Sequence, residues 1–314
     1  MKTLPRFKSR PHVLTNTALG RMRSCERKYY LRNIAGLKSP FRSTALGIGS
    51  AFHEGIEKQC EEVAADYIRN GSDNAMPEGF VNERLEEMAI VAREMTRAAL
   101  KRWTDWPQHR EVPFRMPVFS SQGRASSNYD FGGVMDGFPS EQDHSFWKDK
   151  IGEWKTTGRL SSDYILGLQT KSQPSAYCYA ASRILGRPIR TVVYRIVQKP
   201  TIKRRTKQKP ETLEEYAQRL RDYYMARPEL LHEEHVTRTD DQIRDWEAEM
   251  WEVSLRANDI RRGRRFPIMN DSSCANFGRC EYLDLCARSI TEEAFDVVED
   301  FHPELTQAMQ GAGQ

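Results

Sequence analysis

No stretch of this 314-residue chain stays apolar for the length of a membrane-spanning helix. None of it reads Gly-x4-Gly-Lys-Ser/Thr, the loop that cradles nucleotide phosphates, so it carries no ATP-driven motor of that type. The first eleven residues are basic but lack the apolar run of a signal peptide, which leads us to expect an intracellular protein without a membrane partner. In that setting its six cysteines are expected to be reduced or metal-bound. Closely spaced Cys-x2-4-Cys pairs, the usual mark of a zinc site, are missing. There is no internal repeat. What is present is polar: 29% of residues are charged and the mean hydropathy is −0.71.

The net charge is only +4, but it is unevenly placed. Residues 1–32 hold nine Lys or Arg and one acid, Glu26. A second basic run includes Lys203, Arg204 and Arg205, and a third includes Arg261, Arg262, Arg264 and Arg265. Residues 292–304 hold six acids and no Lys or Arg. Each run alone reads equally well as a solvated loop. Three together, set against an acidic tail, suit a chain that binds nucleic acid through phosphates. Lys203, Arg204, Arg205, Arg261 and Arg262 are the expected contacts.

Residues 1–13 read as a flexible basic arm. A helix is expected from Thr15 or Thr17 to Gly36, with Leu19, Met22, Cys25 and Tyr29 on its buried stripe. A second helix is expected from Thr44 to Asn70, which would make Cys60 a core thiol, and a third ends near Trp103. Strands follow over 112–120, 129–136 and 146–156, then a helix over 163–185 and a β-branched strand over 189–197. Helices at 213–225 and 240–259 precede a poorly periodic segment, 266–290. The expected organisation is one domain over 14–290. It comprises a helical part (44–104), an α/β core (111–200), further helices (211–265) and a cysteine-bearing segment (266–290), with an acidic, polar tail over 291–314.

The chemistry concentrates where Asp136 ends one apolar β-run and Glu153 and Lys155 sit two apart in the next. Strand side chains alternate, so Glu153 and Lys155 share a face, and Asp136 joins them if the runs pair as a hairpin. Carboxylates are hard ligands suited to Mg²⁺ or Mn²⁺, and an ammonium beside them can orient or help deprotonate a water. The same three residues also suit an ordinary solvated hairpin. His53 follows Gly49 by one helical turn, and glycine there permits close approach of another chain segment. A lone histidine beside an apolar stripe is more often a satisfied boundary residue than a ligand.

Cys274, Cys280 and Cys286 are separated by five residues twice over, in a segment without helical period. Three bunched thiols suggest metal ligation, and Cys25 is the natural fourth. Either zinc or an iron–sulfur cluster is compatible with four thiolates.

Taken together these residues resemble the RecB-like, iron–sulfur branch of the PD-(D/E)XK nucleases, which includes AddB-type domains, CRISPR-adaptation exonucleases and phage exonucleases. The matching motifs are Gly49-x3-His53, Gly133-x2-Asp136, Glu153-x-Lys155-Thr156, Gln173-x3-Tyr177, and Cys25 followed by Tyr29-Tyr30 with three C-terminal cysteines. The five-residue cysteine spacing departs from the Cys-x2-Cys step of the best-known members. The resemblance implies an α/β fold, a restriction-endonuclease-like mixed sheet flanked by helices. It also implies a helical cap and a Cys-ligated metal cluster joining the N- and C-terminal regions. It assigns catalytic roles to Asp136, Glu153, Lys155, His53, Gln173 and Tyr177. Mg²⁺ or Mn²⁺ would bind His53, Asp136 and Glu153, and a [4Fe-4S] cluster, or Zn²⁺ in its place, would bind Cys25, Cys274, Cys280 and Cys286. The expected function is a metal-dependent DNA exonuclease in recombination, repair or phage DNA processing. It would act in a bacterial or phage-infected cytoplasm beside a helicase or a single-strand annealing recombination protein. Two alternatives are a non-catalytic nucleic-acid-binding protein that keeps the fold, and a zinc-stapled scaffold.

Overall fold

The computed structural model describes residues 12–39, 44–70, 82–140, 146–207, 209–275, 278–299 and Leu305. Most of the expected basic arm, the polar loop after Asn70 and the end of the tail lie outside these residues. His12 and Val13, assigned to the arm from sequence, instead begin strand β1 (His12–Leu14). The chain groups into two compact units, each built from separated stretches of sequence. One comprises residues 1–40, 113–134 and 239–314, and the other 41–112 and 135–238.

In the first unit, helix α1 (Asn16–Ser24) starts where Thr15 Oγ1 accepts the Ala18 amide at 3.2 Å. The expected helix to Gly36 is interrupted, because Cys25 is extended at φ −165°. A short helix α2 (Glu26–Tyr29) and a π-turn (Tyr30–Ile34) follow, and Gly36 turns the chain at φ +76° into β2 (Leu37–Lys38). Strands β3 (His109–Phe119) and β4 (Ala125–Phe138) form a hairpin through a turn at 120–124. β1 runs parallel to the first half of β4, with His12 opposite Tyr129.

The second unit holds α3 (Thr44–Glu57), α4 (Glu61–Asn70) and α5 (Asn82–Arg102). Residues 44–70 were expected as one helix. The helix breaks because Gln59 adopts φ +53°, and the Gln59 and Arg110 side chains cap the carbonyls of Ile56 and Glu57 at 2.8 and 2.9 Å. Cys60 therefore lies half-buried in the connector, not in the core. The three helices close on small side chains such as Ala51, Ala64, Ala65 and Ala92, which let their backbones approach.

The sheet of this unit is mixed and flanked by helices. The end of β4 pairs antiparallel with β5 (Lys150–Thr157), with Gly137 opposite Gly152. β5 runs parallel to β6 (Thr191–Gln198), which requires a crossover, supplied by α6 (Ser162–Leu168) and α7 (Ser172–Leu185). After α8 (Leu213–Met225), β7 (Leu231–Thr237) returns antiparallel to β6. Sequence pattern missed β7, since Leu-His-Glu-Glu-His-Val-Thr is charged on both faces.

Opposite faces of β5 and β6 carry different chemistry. Glu153 and Lys155 lie on one and Trp154 on the other, with Arg195 in register with Trp154. Trp154 is fully buried, its ring 5.9 Å from that of Trp147. The Arg195 guanidinium stands 4.8 Å from the Trp147 ring and is neutralised by Asp105 and Glu233, as a buried charge must be. Gly152 is required here, because a Cβ would lie 2.3 Å from the Trp154 indole. This packing fixes the strand whose other face carries the acid and the amine.

Returning to the first unit, helix α9 (Asp240–Arg261) is opened by a Thr239–Gln242 capping box. The segment after it is irregular apart from α10 (Leu283–Cys286). The beginning of the expected tail is ordered, since β8 (Asp296–Val297) pairs antiparallel with β2. Among the described residues, no helix is long and apolar enough to cross a membrane.

Candidate active site

Strand register assembles the acidic centre. Gly137 opposite Gly152 places Asp136 opposite Glu153 on one face, and Asp136 Oδ2 accepts the Trp154 amide at 2.7 Å. Lys155, two residues along β5, forms an ion pair with Glu153 Oε1. From α7, Gln173 Nε2 donates to the same Glu153 oxygen at 2.8 Å and contacts Tyr177 Oη at 3.1 Å. The one-turn spacing of Gln173 and Tyr177 on the helix makes that double reach possible.

His53 arrives from α3. Its Nδ1 lies 3.6 Å from Asp136 Oδ2 and 3.7 Å from Glu111 Oε1. Gly49, one turn earlier, faces Thr156, whose Oγ1 would stand 3.3 Å from an added Cβ. The small residue therefore lets the helix settle against β5 beside the acidic pair.

Sequence reasoning did not find Glu111. It lies near the start of β3 with φ +49°, a strained conformation for a non-glycine residue. Its Oε1 is buried and takes no hydrogen bond. Nothing in Arg-Glu-Val-Pro marks this acid out from 43 others. Its backbone twist and its neighbours single it out, and both are visible only in three dimensions.

The electrostatics follow from burial. Desolvation pushes the Asp136 and Glu153 carboxyls upward, Glu153 to about 7; the Asp136 charge adds to the rise of Glu153, and the Glu111 charge to that of Asp136. Burial acts downward on Lys155 and His53, but the neighbouring carboxylates outweigh it and both end above their ordinary values. Lys155 is therefore an ammonium at neutral pH, a charge and a donor, not a base.

His53, Glu111 and Asp136 offer ligand atoms that all lie within 4.8 Å of one another. Two ligands of one Mg²⁺ stand at most about 4.2 Å apart, so a small inward adjustment of these side chains would let a single cation take all three. Glu153 Oε2 is also buried with no hydrogen bond. A hard donor set with unfilled carboxylate oxygens fits Mg²⁺ or Mn²⁺. Sequence placed Glu153 in the ligand trio. In the structure Glu111 completes the tightest trio, and one Glu153 oxygen is engaged by Lys155 and Gln173.

The family model of the PD-(D/E)XK nuclease superfamily matches residues 13–287. The chain belongs to this superfamily. Nucleases of the superfamily use divalent metals, and the acidic trio is where this one could hold its own. Among solved structures, it is similar to a Eubacterium rectale protein named a candidate exonuclease. The TM-score is 0.50 at 11% identity, covering 89% of each chain. SSO0001 aligns over 91% of this chain and 90% of its own at 10% identity, with a TM-score of 0.36. At these identities the first likeness speaks to the fold alone, and the second score is too low to add to it. No curated protein matches the chain.

The other residues singled out from sequence fall elsewhere. Cys25, Cys274, Cys280 and Cys286 all lie in the first unit. Cys25 is buried at the helix break and accepts the Asn270 amide at 3.4 Å. Cys274 and Cys286 are each raised first by burial, and both feel the charges of Cys25 and Cys280. The expected phosphate contacts are mostly committed within the chain. Arg204 is bound to Glu83 and Glu87, and Arg205 to Glu211. Arg261 donates to Tyr129 Oη and Arg262 to Asn128. Of the five, Lys203 is exposed and has no such bond.

Proposed function

We propose that this nuclease is a divalent-metal-dependent DNA exonuclease. One observation carries the reading: an imidazole, three carboxylates and an ammonium converge at the β4–β5 pairing, with two carboxylate oxygens unfilled. His53, Glu111 and Asp136 would hold Mg²⁺ or Mn²⁺, with the unpartnered Oε2 of Glu153 as a further ligand. When bound, such a cation lowers the pKa of water in the site and offsets charge on the phosphoryl oxygens.

The chain's own groups supply the remainder. Lys155, kept cationic by Glu153 and Asp136, donates to the attacking water or to a phosphoryl oxygen as negative charge grows there. Gln173 holds the Glu153 carboxylate in place, and Tyr177 fixes Gln173 in turn. Exonucleolytic rather than internal cleavage is inferred from the resemblance of the motifs, Gly49-x3-His53 through Gln173-x3-Tyr177, to the exonucleases of the RecB-like branch. Lys203 contributes a phosphate contact outside the centre. A nuclease with no phosphate loop of the motor type is expected to work beside a helicase or an annealing protein.

Cys25, Cys274, Cys280 and Cys286 are proposed to hold an iron–sulfur cluster. The five-residue spacing twice over lacks the Cys-x2-4-Cys pairs usual for zinc, which favours the cluster over a single ion. A brown protein with matching iron and sulfide content is the expected result. A colourless protein containing zinc would reverse the choice.

The decisive test is digestion of end-labelled linear and circular DNA with and without Mg²⁺ or Mn²⁺. Linear DNA should be degraded from its ends only when the cation is present. Asp136→Asn and Lys155→Ala should each lower the rate by about 10²–10³ or more. Parental rates in both variants, or equal loss of circular DNA, would overturn the assignment. Tight DNA binding without cleavage under any divalent ion would establish the non-catalytic alternative.

A further inference from the structure

One register line crosses the sheet of the second unit. Asp136 stands opposite Glu153, Glu153 is in register with Tyr194, and Tyr194 with Glu234. Register partners project to the same face, so two acids, a phenol and a third acid form a row across β4, β5, β6 and β7. The far end of the row is satisfied. Glu234 Oε2 lies 3.2 Å from His232 Nε2, and its Oε1 accepts Gln169 Nε2 at 3.3 Å. The middle is not. Tyr194 is 1% exposed and its hydroxyl has no hydrogen bond, while beside it Glu153 Oε2 is equally buried and equally unpartnered.

A buried hydroxyl without a partner destabilises a fold, and phenylalanine would fill the same space without that cost. The strand nevertheless places tyrosine in register with Glu153, one of whose carboxylate oxygens lacks a donor. Burial first, and then the Glu153 charge, raise the phenol's pKa, so it remains a donor at any working pH. Metal-binding carboxylates are commonly held by such donors, and losing one typically weakens the site 10–100-fold.

We propose that Tyr194 is a positioning residue for the metal-binding carboxylate. In the cation-loaded protein its hydroxyl donates to Glu153 Oε2, directly or through one water, and fixes the carboxylate's orientation. The inference rests on the metal site described above and adds to it a residue outside the motifs that mark the family.

Tyr194→Phe tests it. Mn²⁺ binding to metal-free protein, followed by calorimetry without DNA, should weaken about tenfold or more. The melting temperature of the metal-free variant should equal or exceed the parent's, because the hydroxyl makes no bond there to lose. At saturating Mn²⁺ its kcat should approach the parent's, with the half-saturating Mn²⁺ concentration shifted upward. Parental Mn²⁺ affinity overturns the proposal. So does a variant that loses stability or fails to fold, since that would mean the hydroxyl has a structural partner. Asp136→Asn is the reference: if it too binds Mn²⁺ like the parent, the metal site itself is wrong, whereas loss in that variant alone rejects only the role of Tyr194.

Discussion

The acidic centre and the cysteine cluster are both sets of would-be metal ligands, but they are built on different principles. The acidic centre sits on paired strands and two helices, so backbone register alone brings Asp136, Glu153 and Lys155 together. It carries its own counter-charges, Lys155 beside Glu153 and His53 beside Asp136. Three of the four cysteines sit where regular structure fails, Cys25 at an extended break between helices and Cys274 and Cys280 in irregular chain, while Cys286 ends the short helix α10. The backbone bonds of that segment mostly close short local turns, so ligation is expected to tie the turns together. On the proposed reading the first design would give chemistry at a cost in stability, and the second stability without chemistry.

The sharpest break in that comparison is a pair of substitutions. Asp136→Asn keeps an acceptor for the Trp154 amide and removes a charge from a buried acid pair. It should abolish cleavage by about 10³-fold while leaving the metal-free melting temperature equal or higher. Cys280→Ser should do the reverse. It should lower the melting temperature by roughly 5 °C or more as the cluster is lost, with the surviving folded protein cleaving at near-parental kcat. Parallel melting curves and digestion rates decide it. If both variants lose the same property, the division of labour is wrong.

The same contrast explains what could be read in advance. Period-two alternation made Glu-x-Lys legible as a shared face, and Thr15 announced the start of α1. Chain breaks were not legible. Gln59 and Cys25 are ordinary residues in helical pattern, and each break is held by groups distant in sequence, such as Arg110 and Asn270. β7 was missed because a charged strand carries no apolar rhythm. Glu111 and Tyr194 escaped notice because their significance is an unpartnered atom beside another, which no linear pattern encodes. The basic runs were legible only as charge, for a related reason. Charge is visible in sequence, but whether a guanidinium is already spent on an internal carboxylate is not.

That last point yields an intermediate effect. Arg204 lies between Glu83 and Glu87 of α5, with its side chain mostly covered, whereas its neighbour Lys203 is exposed. Lys203→Ala should weaken DNA binding at low salt and reduce the slope of log K against log salt by about 1. Arg204→Ala should leave that slope unchanged and lower the melting temperature instead. Fluorescence anisotropy at several salt concentrations separates them. A slope change in Arg204→Ala as large as in Lys203→Ala would return the whole run to phosphate binding.

The smallest expected effect lies in the first unit and concerns acid. His12, on β1, packs its ring 5.7 Å from that of Tyr129. Burial, and then Arg261 and Arg115, hold its pKa down at about 4. A depressed histidine binds its proton more readily unfolded than folded. Its contribution is therefore complete above about 6.5 and is lost as the pH falls towards 4. The full shift would be worth about 3 kcal/mol by linkage, and its partial exposure reduces this to about 1–2 kcal/mol. His12→Phe keeps a ring beside Tyr129 and removes the titration. The parent should lose more stability than the variant between pH 6.5 and 4, read as the difference between two melting series. The acids of the second unit shift in the opposite sense: Glu153 is raised to about 7, so the proton it gains between pH 7 and 4.5 favours the folded state. Acid should therefore loosen the strand that bears His12 before it disturbs the sheet that bears Glu153, and identical responses from probes in the two units would mean that a third group governs both.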